Sequence, residues 1–148
     1  MLIEKEIAAV FFHSPIFRLF FLFLFFSSCQ SEESTKHDQY VAEGFTLFQT
    51  HCANCHQRDG KGLGNLYPAL SVDYLNDKSK VICWIKNGLN QSVTVNGKTF
   101  NRPMPANPGL KELEIAEIMT YMYTTWGKET KIIPIDTVQK ALEQCPSN

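Results

Sequence analysis

A chain of 148 residues is the size of one domain, since domains run to about 100–200 residues. Its 14 Lys+Arg against 15 Asp+Glu give a formal net charge of −1, so there is no global basic field of the kind that holds nucleic acid, and that class of partner is excluded. Eight of the eleven Phe fall before residue 27, which assigns much of the hydrophobicity to one terminal segment and leaves an ordinary soluble composition behind it.

In that segment Arg18 precedes an unbroken apolar run from Leu19 to Phe26, and Ser27, Ser28 and Cys29 follow. A membrane-spanning helix needs about 20 apolar residues. The shorter run, with a basic residue before it and small residues after it, reads as a secretory signal peptide over residues 1–28. Its end resembles the lipobox of bacterial lipoproteins, although Phe26 stands where that pattern has an aliphatic residue. The resemblance implies cleavage before Cys29, a diacylglycerol on its thiol, and anchorage by lipid on the periplasmic side of a bacterial membrane. A plain secreted chain or an uncleaved anchor is the alternative. Residues 30–37 (QSEESTKH) are polar and acidic with no apolar period, the composition of a flexible tether, so residues 29–37 form a linker.

A helix is expected from Asp38, a good N-cap, because Val41, Phe45 and Phe48 recur at spacings of four and three and share one face. It leads into Cys52-Ala53-Asn54-Cys55-His56. C-x-x-C-H is the attachment sequence of c-type haem: two thiols a helical turn apart reach the two vinyl groups, and the adjacent His is placed as the proximal iron ligand. A thioredoxin-like C-x-x-C needs a strand before it, and structural zinc needs a second ligand pair that the isolated Cys83 and Cys145 do not supply.

These residues resemble class I cytochromes c. The resemblance runs from Val41 to Tyr123 and more weakly to Ala141. Gly44 and Phe48 match the family's helix before the haem, Asp59-Gly60-Lys61-Gly62 its glycine-rich turn, and Tyr67-Pro68-Ala69-Leu70 its proline loop. It implies an all-α fold around one covalent haem c, with Pro68 and Leu70 among the haem-binding residues and the Pro68 carbonyl fixing the His56 ring. Ile118 and Tyr121 are expected to cross Gly44 and Phe48, where a side chain on Gly44 would block close approach.

For the sixth iron position the candidates are Met104, Met119, Met122, His37 and His51. Met119 and Met122 lie in an expected helix from Leu110 to Tyr123 and read as core filling. Met104 stands between Pro103 and Pro105 in a stiff loop, and the family's distal Met occupies a similar Met-Pro loop. A short helix is expected over Lys80 to Gly88. Val93 to Val95 and Lys98 to Phe100 flank Asn96-Gly97, a strong hairpin signal, and this hairpin is an insertion before the Met loop. The segments around Ile85 to Leu89, Val95 to Phe100 and Met104-Pro105 are similar to cytochrome c domains that accompany quinoprotein dehydrogenases and copper nitrite reductases.

The haem domain is thus expected over residues 38–126, with a C-terminal extension over 127–148 that includes a short helix with Asp136 as N-cap. Cys83 and Cys145, the remaining thiols of an exported chain, are expected to pair. Functionally the reading is a membrane-tethered electron carrier and not an enzyme, monomeric or a subunit of a redox complex. It takes electrons from a periplasmic or membrane donor to a terminal oxidase or reductase. An open-site haem protein acting on peroxide or binding a gas is the alternative. Arg58, Lys61 and Lys98 are either steering charges for an acidic redox partner or scattered solvated cations.

Overall fold

The computed structural model describes residues 31–71 and 75–146. The expected signal peptide and Cys29 lie outside them. The chain divides into a unit of residues 1–34, of which only the start of the first helix is described, and a unit of residues 35–148 that holds everything else.

Five helices and one hairpin are described. Helix α1 spans Glu32–His51, α2 Ala53–His56, α3 Lys78–Asn87, α4 Glu112–Thr125 and α5 Ile135–Glu143; β1 Val93–Val95 and β2 Lys98–Phe100 lie between α3 and α4. Helix α1 starts well before Asp38, so residues 32–37 are helix where the composition suggests a tether. The Ser31 hydroxyl accepts a bond from the Ser34 amide at 3.3 Å, and Glu32 and Glu33 in the first turn complement the positive end of the helix dipole. The added turns also make a contact to α4, with His37 Nε2 3.2 Å from Thr124 Oγ1.

The other helix ends follow local chemistry. Asp77 caps α3 by accepting from the Lys80 amide, and Gly88 closes it at φ +75°. Glu114 reaches back to the Lys111 amide at 2.7 Å and closes the start of α4. Helix α5 is preceded by Pro134 as its N-cap. Asp136 therefore sits inside the first turn, where its charge suits the dipole, and is not the cap. The hairpin pairs Val93 with Phe100 and Val95 with Lys98. Asn96 and Gly97 both have positive φ, as a tight two-residue hairpin turn requires.

Phe48, Ile82, Ile115, Ile118, Met119 and Val138 are fully buried and anchor one core shared by α1, α3, α4 and α5. Helix α5 packs on α3 and α4, and the Cys83–Cys145 disulfide ties its far end to α3. The buried Thr120 hydroxyl donates to Ala116 O at 2.7 Å and accepts from the Ile133 amide at 2.9 Å. That second bond fixes the stretch of chain leading into α5.

Helices α1 and α4 cross at Gly44. A Cβ there would lie 2.0 Å from Glu117 O and 2.8 Å from Tyr121 Cβ. Beside it the Phe48 and Tyr121 rings are 5.5 Å apart and the Phe48 and Trp126 rings 5.1 Å. Glu117 and Tyr121 form the contact, while Ile118 turns into the core. Gly44→Ala should therefore destabilise the folded protein by about 1–3 kcal/mol or more, the scale of overpacking, read as a lower midpoint in chemical denaturation. A change near zero would contradict the crossing.

Candidate haem centre

The C-x-x-C-H segment is shaped by a break and a restart of helix. The Cys52 amide donates to Phe48 O at 2.9 Å, so Cys52 completes the last turn of α1. Its carbonyl then accepts from Cys55 N at 3.2 Å and from His56 N at 2.9 Å. One carbonyl thus gathers the two cysteines and the histidine into a single turn. Cys52 and Cys55 are free thiols while Cys83 and Cys145 are paired. Burial, with the neighbouring Cys55 adding to it, pushes the Cys52 thiol up to about 12. It is held as a neutral thiol.

Gln57 at φ +63° ends the turn and reverses the chain. The loop that follows is closed by Gly62 N to His56 O at 2.9 Å and Leu70 N to Gly60 O at 2.7 Å. At Gly62, φ is +66° and a Cβ would stand 2.3 Å from Tyr67 O and 2.6 Å from the Pro68 carbonyl carbon and oxygen. Only glycine lets the two passes of chain meet so closely. Trp126, at the end of α4, donates from Nε1 to Asp59 O at 3.2 Å and ties the loop to the helix crossing.

The result is a fixed imidazole. His56 Nδ1 lies 3.1 Å from Pro68 O. A carbonyl can only accept, so Nδ1 carries the proton and Nε2 the lone pair, the tautomer that ligates a metal. Burial lowers the His56 pKa, with the Pro68 bond opposing in part, and the ring is therefore neutral. Pro68 and Leu70 are both buried.

Met104 is half-buried and packs against the core. Its backbone pairs with Leu89 in both directions, Met104 N to Leu89 O at 2.8 Å and Leu89 N to Met104 O at 2.9 Å. Asn107 continues the attachment through its amide and side chain, both 3.2 Å from Ile85 O. Lys86 Nζ donates to Pro108 O at 2.9 Å and Leu110 O at 2.6 Å. The methionine loop is thus strapped to the C-terminal end of α3. Gly88 lies under the strap: a Cβ there would be 2.7 Å from Met104 O and 2.8 Å from Ala106 N.

The other sixth-position candidates sit elsewhere. Met119 and Met122 are buried in the core, His37 contacts Thr124, and His51 is exposed at the end of α1. The strap residues Leu89, Asn107 and Lys86 escape sequence reasoning; the Gly88 C-cap was the one available signal. Lys61 pairs with Asp59 at 3.0 Å, and Lys98 binds the loop at Gly64 and Asn65, so neither is the unattached charge that partner steering assumes.

The donor set fits haem c: two unpaired thiols and one imidazole with a free lone pair on a single turn. Two buried polar atoms, Gln49 Nε2 and Ser71 Oγ, have no partner in the protein. Gln49 is three residues before Cys52 and Ser71 directly follows Leu70, so both stand beside the donor set along the chain.

A mostly helical fold with C-x-x-C-H at the end of its first long helix and a proline-loop carbonyl on the histidine defines a class I haem-binding domain. The cytochrome c family profile matches residues 41–126, and the chain belongs to the cytochrome c family. Covalently attached haem c is that family's cofactor. Among relatives, the chain is 29% identical over 97 residues to cytochrome c-552 of Thermus thermophilus, a match covering 62% of this chain and 73% of the relative. A second cytochrome c-552, from another strain of the same species, matches at 29% identity over 97 residues, 62% of this chain and 65% of that relative.

Replacing Gly88 by Ala should force the strap away from α3, because both the positive φ and the 2.7 Å approach to Met104 O forbid a Cβ. Amide exchange at Leu89 and Met104 should rise sharply, with the α1–α4 crossing protected as before.

Proposed function

We propose that this protein is a monohaem electron carrier, held at a membrane through lipid on Cys29, with His56 and Met104 as axial ligands. The observation that carries the reading is the His56 Nδ1 to Pro68 O bond, which leaves Nε2 as the lone-pair nitrogen. Haem c, when bound, supplies a one-electron iron couple, and His/Met ligation places such a couple at the higher end of the c-type range. Cys52 and Cys55 hold the group by thioether bonds. Pro68 orients the imidazole, Leu70 packs in the proximal loop, and the Leu89 pairing presents Met104 from a stiff support.

No residue is assigned bond-making chemistry. The protein contributes ligand identity, orientation and a dry surround. Among the described residues no helix is long and apolar enough to cross a membrane, which leaves the N-terminal segment to make the attachment. The donor and acceptor are redox proteins. The likeness to domains that accompany quinoprotein dehydrogenases and copper nitrite reductases favours an acceptor at the terminal oxidase or reductase end of a chain.

A mediated redox titration of the exported holoprotein should give a single one-electron wave. In Met104→Ala the wave should move to lower potential, and the reduced iron should gain carbon monoxide binding. A wild-type protein that already binds carbon monoxide readily would overturn the ligand assignment. Separately, Cys29→Ser should release the protein from the membrane fraction, and an unchanged distribution would remove the lipid anchor from the account.

A further inference from the structure

Two cations on one side of the site hold down the loop on the other. Lys98, on β2, donates from Nζ to Gly64 O at 3.0 Å and to Asn65 Oδ1. Arg102, two residues before Met104, donates from Nη1 to Tyr67 Oη at 3.4 Å, and its guanidinium carbon lies 5.8 Å from the centre of the Tyr67 ring. The loop they grip is narrow: Leu63 and Tyr67 pair in a two-way bridge, with Leu63 N to Tyr67 O at 3.1 Å. Tyr67 is followed directly by Pro68, whose carbonyl accepts from His56. Lys98 therefore holds the tip of the proximal loop and Arg102 its foot. Both come from the segment that ends in Met104.

We infer that Lys98 and Arg102 are positioning residues that clasp the Pro68 loop to the Met104 strap, so that the two sides of the haem centre loosen together and not one at a time. The inference rests on the reading of His56 and Met104 as the axial pair. The hairpin thereby acquires a role: it carries Lys98 across to the proximal loop. Arg102 presents both a donor and a flat cation to the tyrosine, and a lysine at that position keeps the charge over the ring but loses the fork of donors. Since both cations act on the loop at a distance from the helices, their removal should leave the core unaffected.

The test uses the full-length holoprotein with Arg102→Ala, Arg102→Lys, Lys98→Ala and Tyr67→Phe. Hydrogen exchange followed by mass spectrometry reads residues 62–70 and 100–106, with α4 as the internal control. In parallel, added imidazole is titrated against the ferric protein as a competitor for the sixth position. Arg102→Ala should raise exchange in both segments by about two- to fivefold, the scale of one exposed cation–aromatic contact, and strengthen imidazole binding by a similar factor. Arg102→Lys should restore part of each effect, Tyr67→Phe should show the smaller loss of the hydroxyl alone, and Lys98→Ala should loosen 62–66 first. Exchange that rises only around Arg102, or rises in both segments with no gain in imidazole affinity, overturns the clasp. Loss of protection in α4 as well would assign the two cations a general structural role and also overturn it. A wild-type absorption spectrum lacking the weak far-red band of sulfur-ligated ferric haem is the separate failure of the axial-pair reading, and exchange then still decides whether the two loops are coupled.

Discussion

The hydrogen bond from His56 Nδ1 to the Pro68 carbonyl is the constraint on which the rest of the structure depends. It selects the tautomer, holds the ring in one plane and leaves a single nitrogen for a metal. To make it, the chain must leave α2, reverse and return within twelve residues. That path sets the positive φ at Gln57, Gly60 and Gly62 and the close pass of Gly62 under Tyr67 and Pro68. The loop is in turn fixed to the core through Trp126, which touches Asp59 by hydrogen bond and Phe48 by ring contact. The α1–α4 crossing at Gly44 is therefore the floor on which the proximal side stands.

The distal side is built by a different route. Met104 owes its position to α3, whose C-terminal residues receive the strap through Leu89, Asn107 and Lys86. Helix α3 is itself held from behind by α5 and by the Cys83–Cys145 disulfide, 62 residues apart in sequence. Closing a loop of that length stabilises by about 4 kcal/mol on the chain-entropy estimate. At the N-terminal end of α3, Lys78 pairs with Glu129 at 2.7 Å and the buried Tyr123 hydroxyl donates to Leu75 O at 2.5 Å. The C-terminal extension thus acts on the site indirectly, by immobilising the helix that carries the methionine strap.

The parts of this arrangement that could be read in the sequence are those with a local chemical signature. C-x-x-C-H, the Asn96-Gly97 turn, the Gly88 cap and a methionine between two prolines each announce their local structure. The pairing of Cys83 with Cys145 followed from exclusion of the other thiols and is present in the structure. The start of α1 was hidden, because residues 30–37 have the composition of a linker and their helix is set by a Ser31 cap and a long-range contact from His37 to Thr124. The same holds for the α5 cap, where Pro134 displaces the more obvious Asp136. Least legible were the bonds from side chain to distant loop backbone, at Lys86, Lys98 and Asn107. They follow no period and no spacing, and they exist only once the fold has brought the partners together.

The central claim is that His56 and Met104 hold the two faces of one haem, and the proton NMR spectrum of the reduced, diamagnetic protein tests it most directly. A methyl group seated over a porphyrin face is shifted far upfield by the ring current. The account predicts one three-proton resonance well outside the protein envelope, lost in Met104→Leu and retained when Met119 or Met122 is replaced. A spectrum with no such signal, or one that disappears with Met119 or Met122 instead, would contradict it.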